Sequence, residues 1–340
     1  MEQMRKTGYL ITILCIFTAS SCRDTKSVFA NFNGFAQGST YSVVYDNKIN
    51  IDPAELRQKV EKILNDFDMS LSNYKDSSII SRINRNEEAV PDTFFAEVFR
   101  KSAIISEMTD GAFDITVGPL VNAWGFGPDK RKTFTEANRD SLLKLVGMNK
   151  VSLQNGRIIK SDPHMFLDFN AIAQGYSVDV ICWFFDRLRI KNYLVEIGGE
   201  VRAKGKKSGN LWRIGIDKPV DNNMTPGQSL QAIIKISDRA LATSGNYRKY
   251  YIENGVKYSH EIDPRTGYPA KNTLLSASVI ADECSMADGI ATACMVMGRE
   301  KTIEFLDKHP EFEAYLVYSD ENGNFKTWTS EKLKKELEQQ

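Results

Sequence analysis

Histidine is scarce in this chain, with three residues in 340, at positions 164, 260 and 309. Cysteine is little commoner, with five, and none stands at a CxxC or Cys/His spacing, so nothing in the sequence points to a zinc centre. An excess of charge is also missing. The 44 basic residues offset 44 acidic ones. Without a basic stripe, the chain has no electrostatic footprint for nucleic acid. No G-x-G-x-x-G turn and no P-loop lysine occur, which removes the usual dinucleotide and P-loop templates. No repeat, low-complexity run or long linker divides it. What remains is an ordinary globular composition, 42% hydrophobic and 26% charged, in a chain long enough to bury a large core.

The amino end, "MEQMRKTGYLITILCIFTASSC", combines basic Arg5 and Lys6 with an apolar run from Tyr9 to Phe17. That run is too short to span a bilayer but fits the apolar core of a secretory signal. Ala19-Ser20-Ser21 before Cys22 resembles a bacterial lipobox, with Ala19 where leucine is frequent. The expected organisation is a signal peptide over 1–21, a lipidated Cys22 and polar tether over 22–32, and a catalytic domain over 33–340. A lipid on Cys22 would anchor that domain to the cell envelope, facing the periplasm. The plainer alternative is a signal peptide followed by an incidental cysteine. Cys182, Cys284 and Cys294 sit in apolar surroundings and read as buried free thiols.

Periodicity predicts an α+β fold of mixed or antiparallel sheets flanked by helices. "FAQGSTYSVVYD" reads as a strand, with Tyr41, Val43 and Tyr45 alternating against Ser42 and Val44. "DPAELRQKVEKILNDFDMSLS" reads as a helix with Asp52 as N-cap, Pro53 in the first turn and Glu55 completing a capping box. Leu56, Val60, Ile63, Leu64 and Phe67 form its apolar face. Further helices are expected over Thr93–Met108, from about 136 to 146, and over 171–188, 285–298 and 300–308. "YLVEI", "WRIGI", "SLQAIIKI", "LLSASVIA" and "EAYLVYSD" read as strands.

Five segments could carry chemistry. In "GAFDITVGPLVNAWGFGP", 111–128, four glycines and two prolines argue against a regular helix. Phe113 and Trp124 could wall a flat ligand there, or simply pack an irregular loop. "LDFNAIAQGYSVD", 167–179, carries Asp168 and small residues into a helix. Its turn could leave backbone groups open for a phosphate or metal, or Asn170 could merely cap the helix. Gly198-Gly199 in "VEIGGEVRAKG" marks a hairpin or bulge. In "ECSMADGIATACMVMG", Asp288 and Thr292 share one face of an apolar helix. Two hard oxygen donors there suit Mg²⁺, and an unpaired buried aspartate would be costly. "YSHEIDPRTG" sets His260 before a rigid Asp-Pro-Arg-Thr-Gly turn. It could serve as a proton acceptor or as a strand-end residue satisfied by backbone.

Taken in order with "QGSTYSVVY" (37–45) and "LSNYKDSSIISRIN" (71–84), these segments resemble the ApbE family of FAD:protein FMN transferases. The resemblance runs from about Phe32 to Tyr318. It implies a T-fold-related unit that binds FAD and Mg²⁺, moves FMN to a Thr or Ser hydroxyl of a target protein through a phosphoester bond, and releases AMP. It implies Mg²⁺ on the Ala171 carbonyl, Asp288 and Thr292. It implies FAD contacts at Gln37, Tyr74, Ala112, Phe113, Asp114, Asp168, Gln174 and Ile262, with His260 as the base. The implied acceptors are exported or membrane redox subunits, as in Na⁺-translocating NADH:quinone oxidoreductase or Rnf-type complexes. Gln37 stands where methionine is frequent, Asn170-Ala171 where Gly-Gly is, and Gln174 where Lys or Glu is. Two other readings compete: a Mg²⁺-dependent FAD pyrophosphatase with water as acceptor, and a non-catalytic flavin-binding lipoprotein. The second needs the aromatics and glycines but not His260, Asp288 and Thr292 together.

Overall fold

The computed structural model describes residues 29–128, 134–220, 227–247, 250–253 and 256–338. The signal segment and Cys22 lie outside the described residues. In chain order the elements are β1 (Phe29–Ala36), β2 (Ser39–Asp46), α1 (Pro53–Leu71), α2 (Ile79–Asn84), α3 (Thr93–Met108), α4 (Gly118–Trp124) and α5 (Glu136–Leu143). They continue with β3 (Val151–Gln154), β4 (Arg157–Lys160), α6 (Ala173–Arg187), β5 (Tyr193–Ile197), β6 (Glu200–Lys204), β7 (Trp212–Asp217) and β8 (Leu230–Ile236). The last are β9 (Arg239–Gly245), β10 (Tyr250–Glu253), β11 (Val256–Ser259), β12 (Leu274–Ala281), α7 (Cys284–Met297), α8 (Arg299–Lys308), β13 (Glu313–Ser319) and β14 (Phe325–Thr329).

Eight strands form one open sheet in the order β1-β2-β5-β6-β9-β12-β13-β14, and every pairing in it is antiparallel. Three hairpins, β3–β4, β7–β8 and β10–β11, stand apart from it. The α+β expectation holds, with antiparallel pairing throughout the described strands. Side chains alternate across the sheet. Tyr41, Val43, Tyr193 and Val195 point to the helical face, packing with Leu56, Val60 and Phe185. Val44, Leu194, Ile280 and Val317 point to the other face, which the β7–β8 hairpin and Leu333 cover. Among the described residues no helix is long and apolar enough to cross a membrane.

The locally encoded elements match their sequence signals. Asp52 caps α1 by accepting from the Ala54 N–H at 2.9 Å. Glu55, expected in a capping box, instead pairs with Lys59 one turn on. α3 spans the expected residues. Four expectations need correction. The tether ends earlier than residue 32, because β1 begins at Phe29. "FAQGSTYSVVYD" is two strands, not one, folded at Gln37-Gly38, where both residues adopt positive φ, 52° and 73°. The 111–128 segment does contain a helix. Gly118 and Pro119 open α4, and Gly125 closes it in the left-handed conformation, so the breakers sit at the ends. α5 is shorter than expected, ending at Leu143.

α7 has an unusual cap. Its N-terminal residue Glu283 caps nothing with its side chain and pairs with the buried Lys101 ammonium of α3. Asp179 of α6 takes the capping role across the helix interface. Its carboxylate accepts the Cys284 and Ser285 N–H groups, both at 2.9 Å, and the Ser285 hydroxyl at 2.8 Å. Burial pushes the Asp179 pKa up, and the Arg202 guanidinium at 2.6 Å opposes that. The α6–α7 pair is thereby locked at the end where the candidate metal ligands lie. Cys182, Cys284 and Cys294 are buried and unbridged, as expected. Burial pushes the Cys294 thiol up to about 12.

Candidate active site

The candidate residues fall into three clusters, two of them at the segment that leads into α6 and the third around His260. The first joins α6 to α7. Asp288 is only 6% exposed, and its Oδ2 accepts the Gly175 N–H at 2.9 Å. Burial, and then the charge of Asp179, push its pKa up to about 7, against the lowering effect of that hydrogen bond. In a regular helix the Gly175 N–H would bond the carbonyl four residues back, that of Ala171. It is diverted to Asp288, and among the described residues no donor reaches the Ala171 carbonyl. The close approach depends on glycine. A Cβ at Gly175 would stand 2.4 Å from the Cys284 carbonyl oxygen and 2.7 Å from the Asp288 Cβ. One turn further along α7, the half-buried Thr292 hydroxyl lies 3.2 Å from the Ser244 hydroxyl of β9. Among the described residues no three His, Cys, Asp or Glu side chains gather as a metal cluster, so a cation here would depend on carbonyl and hydroxyl oxygens beside one carboxylate.

The same turn of α6 meets two hairpin tips. The Ser177 hydroxyl donates to the Gln174 carbonyl at 2.7 Å and lies 3.2 Å from Gln37 Oε1. The Gln174 side chain lies against Gly198, where a Cβ would fall 2.3 Å from its Nε2. Gly198 and Gly199, with φ of 67° and 111°, form the two-residue turn between β5 and β6. Among the described residues the buried Gln37 Nε2 has no hydrogen-bond partner. Gln37 and Gln174, far apart in sequence, therefore share one corner.

The second cluster fixes the residues just before α6. Asn84 is a buried clamp on Leu167: its amide donates to the Leu167 carbonyl at 2.9 Å, and its Oδ1 accepts the Leu167 N–H at 2.8 Å. Asn73 adds a second donor to the same carbonyl at 3.1 Å. The clamp sets Asp168, whose carboxylate accepts the Asn170 N–H at 2.9 Å. Asn170 does not cap α6, which starts at Ala173 with no side-chain cap. Tyr74, next to Asn73, is 63% exposed. Partial desolvation, and then the charge of Asp168, raise its phenol pKa, while a hydrogen bond with Asn170 lowers it.

The third cluster carries the histidine. His260 follows β11, its side chain 36% exposed. The turn beyond it is built as expected. Asp263 accepts the Gly267 N–H on its carbonyl at 2.8 Å, and its carboxylate binds the Arg265 guanidinium at 2.8 and 2.9 Å. A row of rings supports it: Phe126 stacks on Tyr251 at 5.4 Å between centroids, Tyr251 on Tyr258 at 5.3 Å and Tyr258 on Trp124 at 5.5 Å. Phe126 also presents an edge to His260 at 6.3 Å. The Trp124 indole N–H donates to the Gly267 carbonyl at 2.8 Å. Trp124 is thus a strut for the histidine turn and does not wall a ligand. Ile262 is buried beside it, with Leu120 and Val146. Phe113 is 2% exposed and packs in the main core, so its ring lines no open cleft; Ala112 is equally buried. Asp114 caps the 3₁₀ turn Ile115–Val117 through the Thr116 N–H at 2.8 Å and also accepts the Met148 N–H at 2.9 Å. Burial raises its pKa against those bonds. A cavity of about 370 Å³ lies between Gly111 and Asp114 on one side and Pro264 and Arg265 on the other.

A model of the ApbE family matches residues 37–316. The chain belongs to the ApbE family. It is 36% identical to a FAD:protein FMN transferase of Haemophilus influenzae, over 97% of each chain. It is 33% identical to one of Vibrio cholerae, over 96% of this chain and 98% of that one. Among solved structures, the flavin transferase ApbE from Vibrio cholerae superposes with a TM-score of 0.82 at 34% identity, covering 92% of this chain and all of that one. As an ApbE protein the chain is an enzyme of the transferase class. Several neighbours of the candidate residues were not singled out from sequence: Ser177, Ser244 and the Asn73–Asn84 clamp. The two asparagines fall inside the "LSNYKDSSIISRIN" stretch, but their partner Leu167 is more than 80 residues away, and no local pattern encodes that pairing.

Proposed function

We infer that this chain is a FAD:protein FMN transferase, with FAD as its substrate and a flavin-accepting protein as its second substrate. The reading is carried by one observation: the Gly175 N–H turns to Asp288 and leaves the Ala171 carbonyl without a donor beside a buried carboxylate. That all-oxygen set, completed by Thr292, fits a hard cation. Ala171, Asp288 and Thr292 would hold Mg²⁺, whose charge, when bound, offsets that of the FAD pyrophosphate. The unpartnered Gln37 Nε2 is a donor that suits a ligand oxygen. Gln174 borders the same corner, Asp168 and the exposed Tyr74 would bind the flavin nucleotide from the neighbouring cluster, and the buried Ala112, Phe113 and Ile262 would act through backbone or as support. Asp114 opens onto the neighbouring cavity.

His260 takes the proton of the acceptor Thr or Ser hydroxyl. The new O–P bond forms as the pyrophosphate bond breaks and AMP departs with its electron pair, leaving FMN on the acceptor as a phosphoester. The acceptor would be a redox subunit of the Na⁺-translocating NADH:quinone oxidoreductase or Rnf type, met at the cell envelope, where a lipid on Cys22 would hold the enzyme.

The test is mass spectrometry of such a subunit after incubation with the protein, FAD and Mg²⁺. A gain of one FMN on a Thr or Ser is expected. His260→Ala should abolish the gain while FAD binding, followed by flavin fluorescence, persists. AMP release with no mass gain on any acceptor would replace the transferase reading with a pyrophosphatase.

A further inference from the structure

Glu261 follows His260 directly, and its side chain is 3% exposed. Neither of its carboxylate oxygens has a hydrogen-bond partner among the described residues. Its backbone is committed elsewhere, the carbonyl accepting the Ala270 N–H at 2.8 Å. Its Oε1 lies 3.4 Å from His260 Nδ1. A carboxylate withdrawn from water without donors is costly, and this one has an imidazole nitrogen at ion-pair distance. The ring it faces lies 6.3 Å from Phe126 between centroids, in a T-shaped arrangement, and is partly exposed.

We propose that Glu261 is a positioning residue for His260. Its carboxylate takes the Nδ1–H of the imidazole, which fixes the tautomer and leaves Nε2 as the acceptor nitrogen. A small rotation of the histidine shortens the 3.4 Å approach to a hydrogen bond, and such bonds commonly tighten once substrate is bound. When Nε2 receives the acceptor hydroxyl's proton, the Nδ1–H stays directed at the Glu261 side chain, and the ring is held in place in the state the transfer passes through. The proton stays on Nε2, and Glu261 does not take it. Glu261 thus acts through His260, and the inference rests on the reading of His260 as the base.

Having three histidines makes the tautomer directly readable. Long-range ¹H–¹⁵N correlation spectra of protein labelled in its imidazole nitrogens, without flavin, resolve each ring, and His260→Asn assigns its signals by their loss. The expected pattern for His260 is the Nδ1–H tautomer, changing to an averaged mixture in Glu261→Leu. An Nε2–H tautomer in the native protein, or the same pattern in both proteins, overturns the proposal. Neither result depends on flavin transfer, so it can fail while the transferase reading stands. In turnover, Glu261→Leu should lower kcat by at least about tenfold with KM for FAD little changed, and Glu261→Gln, which keeps an acceptor oxygen, should recover part of the loss. A raised KM at native kcat would make Glu261 a binding residue and overturn the positioning role.

Discussion

Asp179 and Asp288 are both buried carboxylates on the same helix pair, yet they are satisfied differently. Asp179 has an arginine and three hydrogen-bond donors; Asp288 has one backbone N–H and the repulsion of Asp179. An aspartate left this short of partners keeps a raised pKa, and a bound cation would relieve it. Replacing it by its neutral isostere isolates that role. Asp288→Asn should lower FMN transfer by about a hundredfold or more and abolish the response to added Mg²⁺, measured as transfer rate against Mg²⁺ concentration. A native Mg²⁺ titration in the variant would remove Asp288 from the metal site. This residue was legible in the sequence because an aspartate amid Met, Ile and Ala on a helix breaks the apolar pattern. Glu261 was not, because strand-end burial depends on what the remainder of the chain lays over it.

Among the elements, those whose signals are local could be read from the sequence and those set by tertiary neighbours could not. α1 and α3 carry their own caps, Asp52 and Asp92, and both were placed from sequence. α4 was missed because glycine and proline look like breakers until their positions at the two ends of one short helix are seen. α6 was placed, but its first turn was not, since the diverted Gly175 N–H answers to α7 and not to its own helix. That diversion predicts a coupling between packing and metal binding. Gly175→Ala forces a methyl against the Cys284 carbonyl and the Asp288 side chain, an overpacking expected to cost about 1–3 kcal/mol. Thermal unfolding should show the loss, and the Mg²⁺ concentration for half-maximal transfer should rise. A variant that melts lower but keeps the native Mg²⁺ response would show that the helix spacing supports stability alone.

Across the whole molecule, the sheet divides two unlike halves. The main helices pack on one side, and the β7–β8 hairpin with the C-terminal turn closes the other. Leu333 is fully buried in that second core with Ile234, Val317 and Ile280, and the Leu337 backbone bridges to Ile234. Leu333→Ala should cost about 2–5 kcal/mol, read as a lower urea midpoint at unchanged slope. FMN transfer by the folded variant should match the native rate, and a parallel loss of transfer would mean that the two faces are coupled through the sheet. From the sequence β2, β5, β7, β8, β12 and β13 were plain, since alternating β-branched and aromatic residues mark them, while β3, β4, β9, β10, β11 and β14, most of them short, were not read. The neighbours of each strand were not plain either, because pairings such as β2 with β5 span more than 140 residues and leave no local trace.

The strand order β1-β2-β5-β6-β9-β12-β13-β14 rises strictly with chain position. A polypeptide delivered amino end first therefore always meets a finished border on which its next strand can settle, and none has to wedge between two already joined. Such an order permits growth by accretion from one side. The exposed rim moves along with it until β14, where the outward Lys326 guards the last open margin against adding another chain.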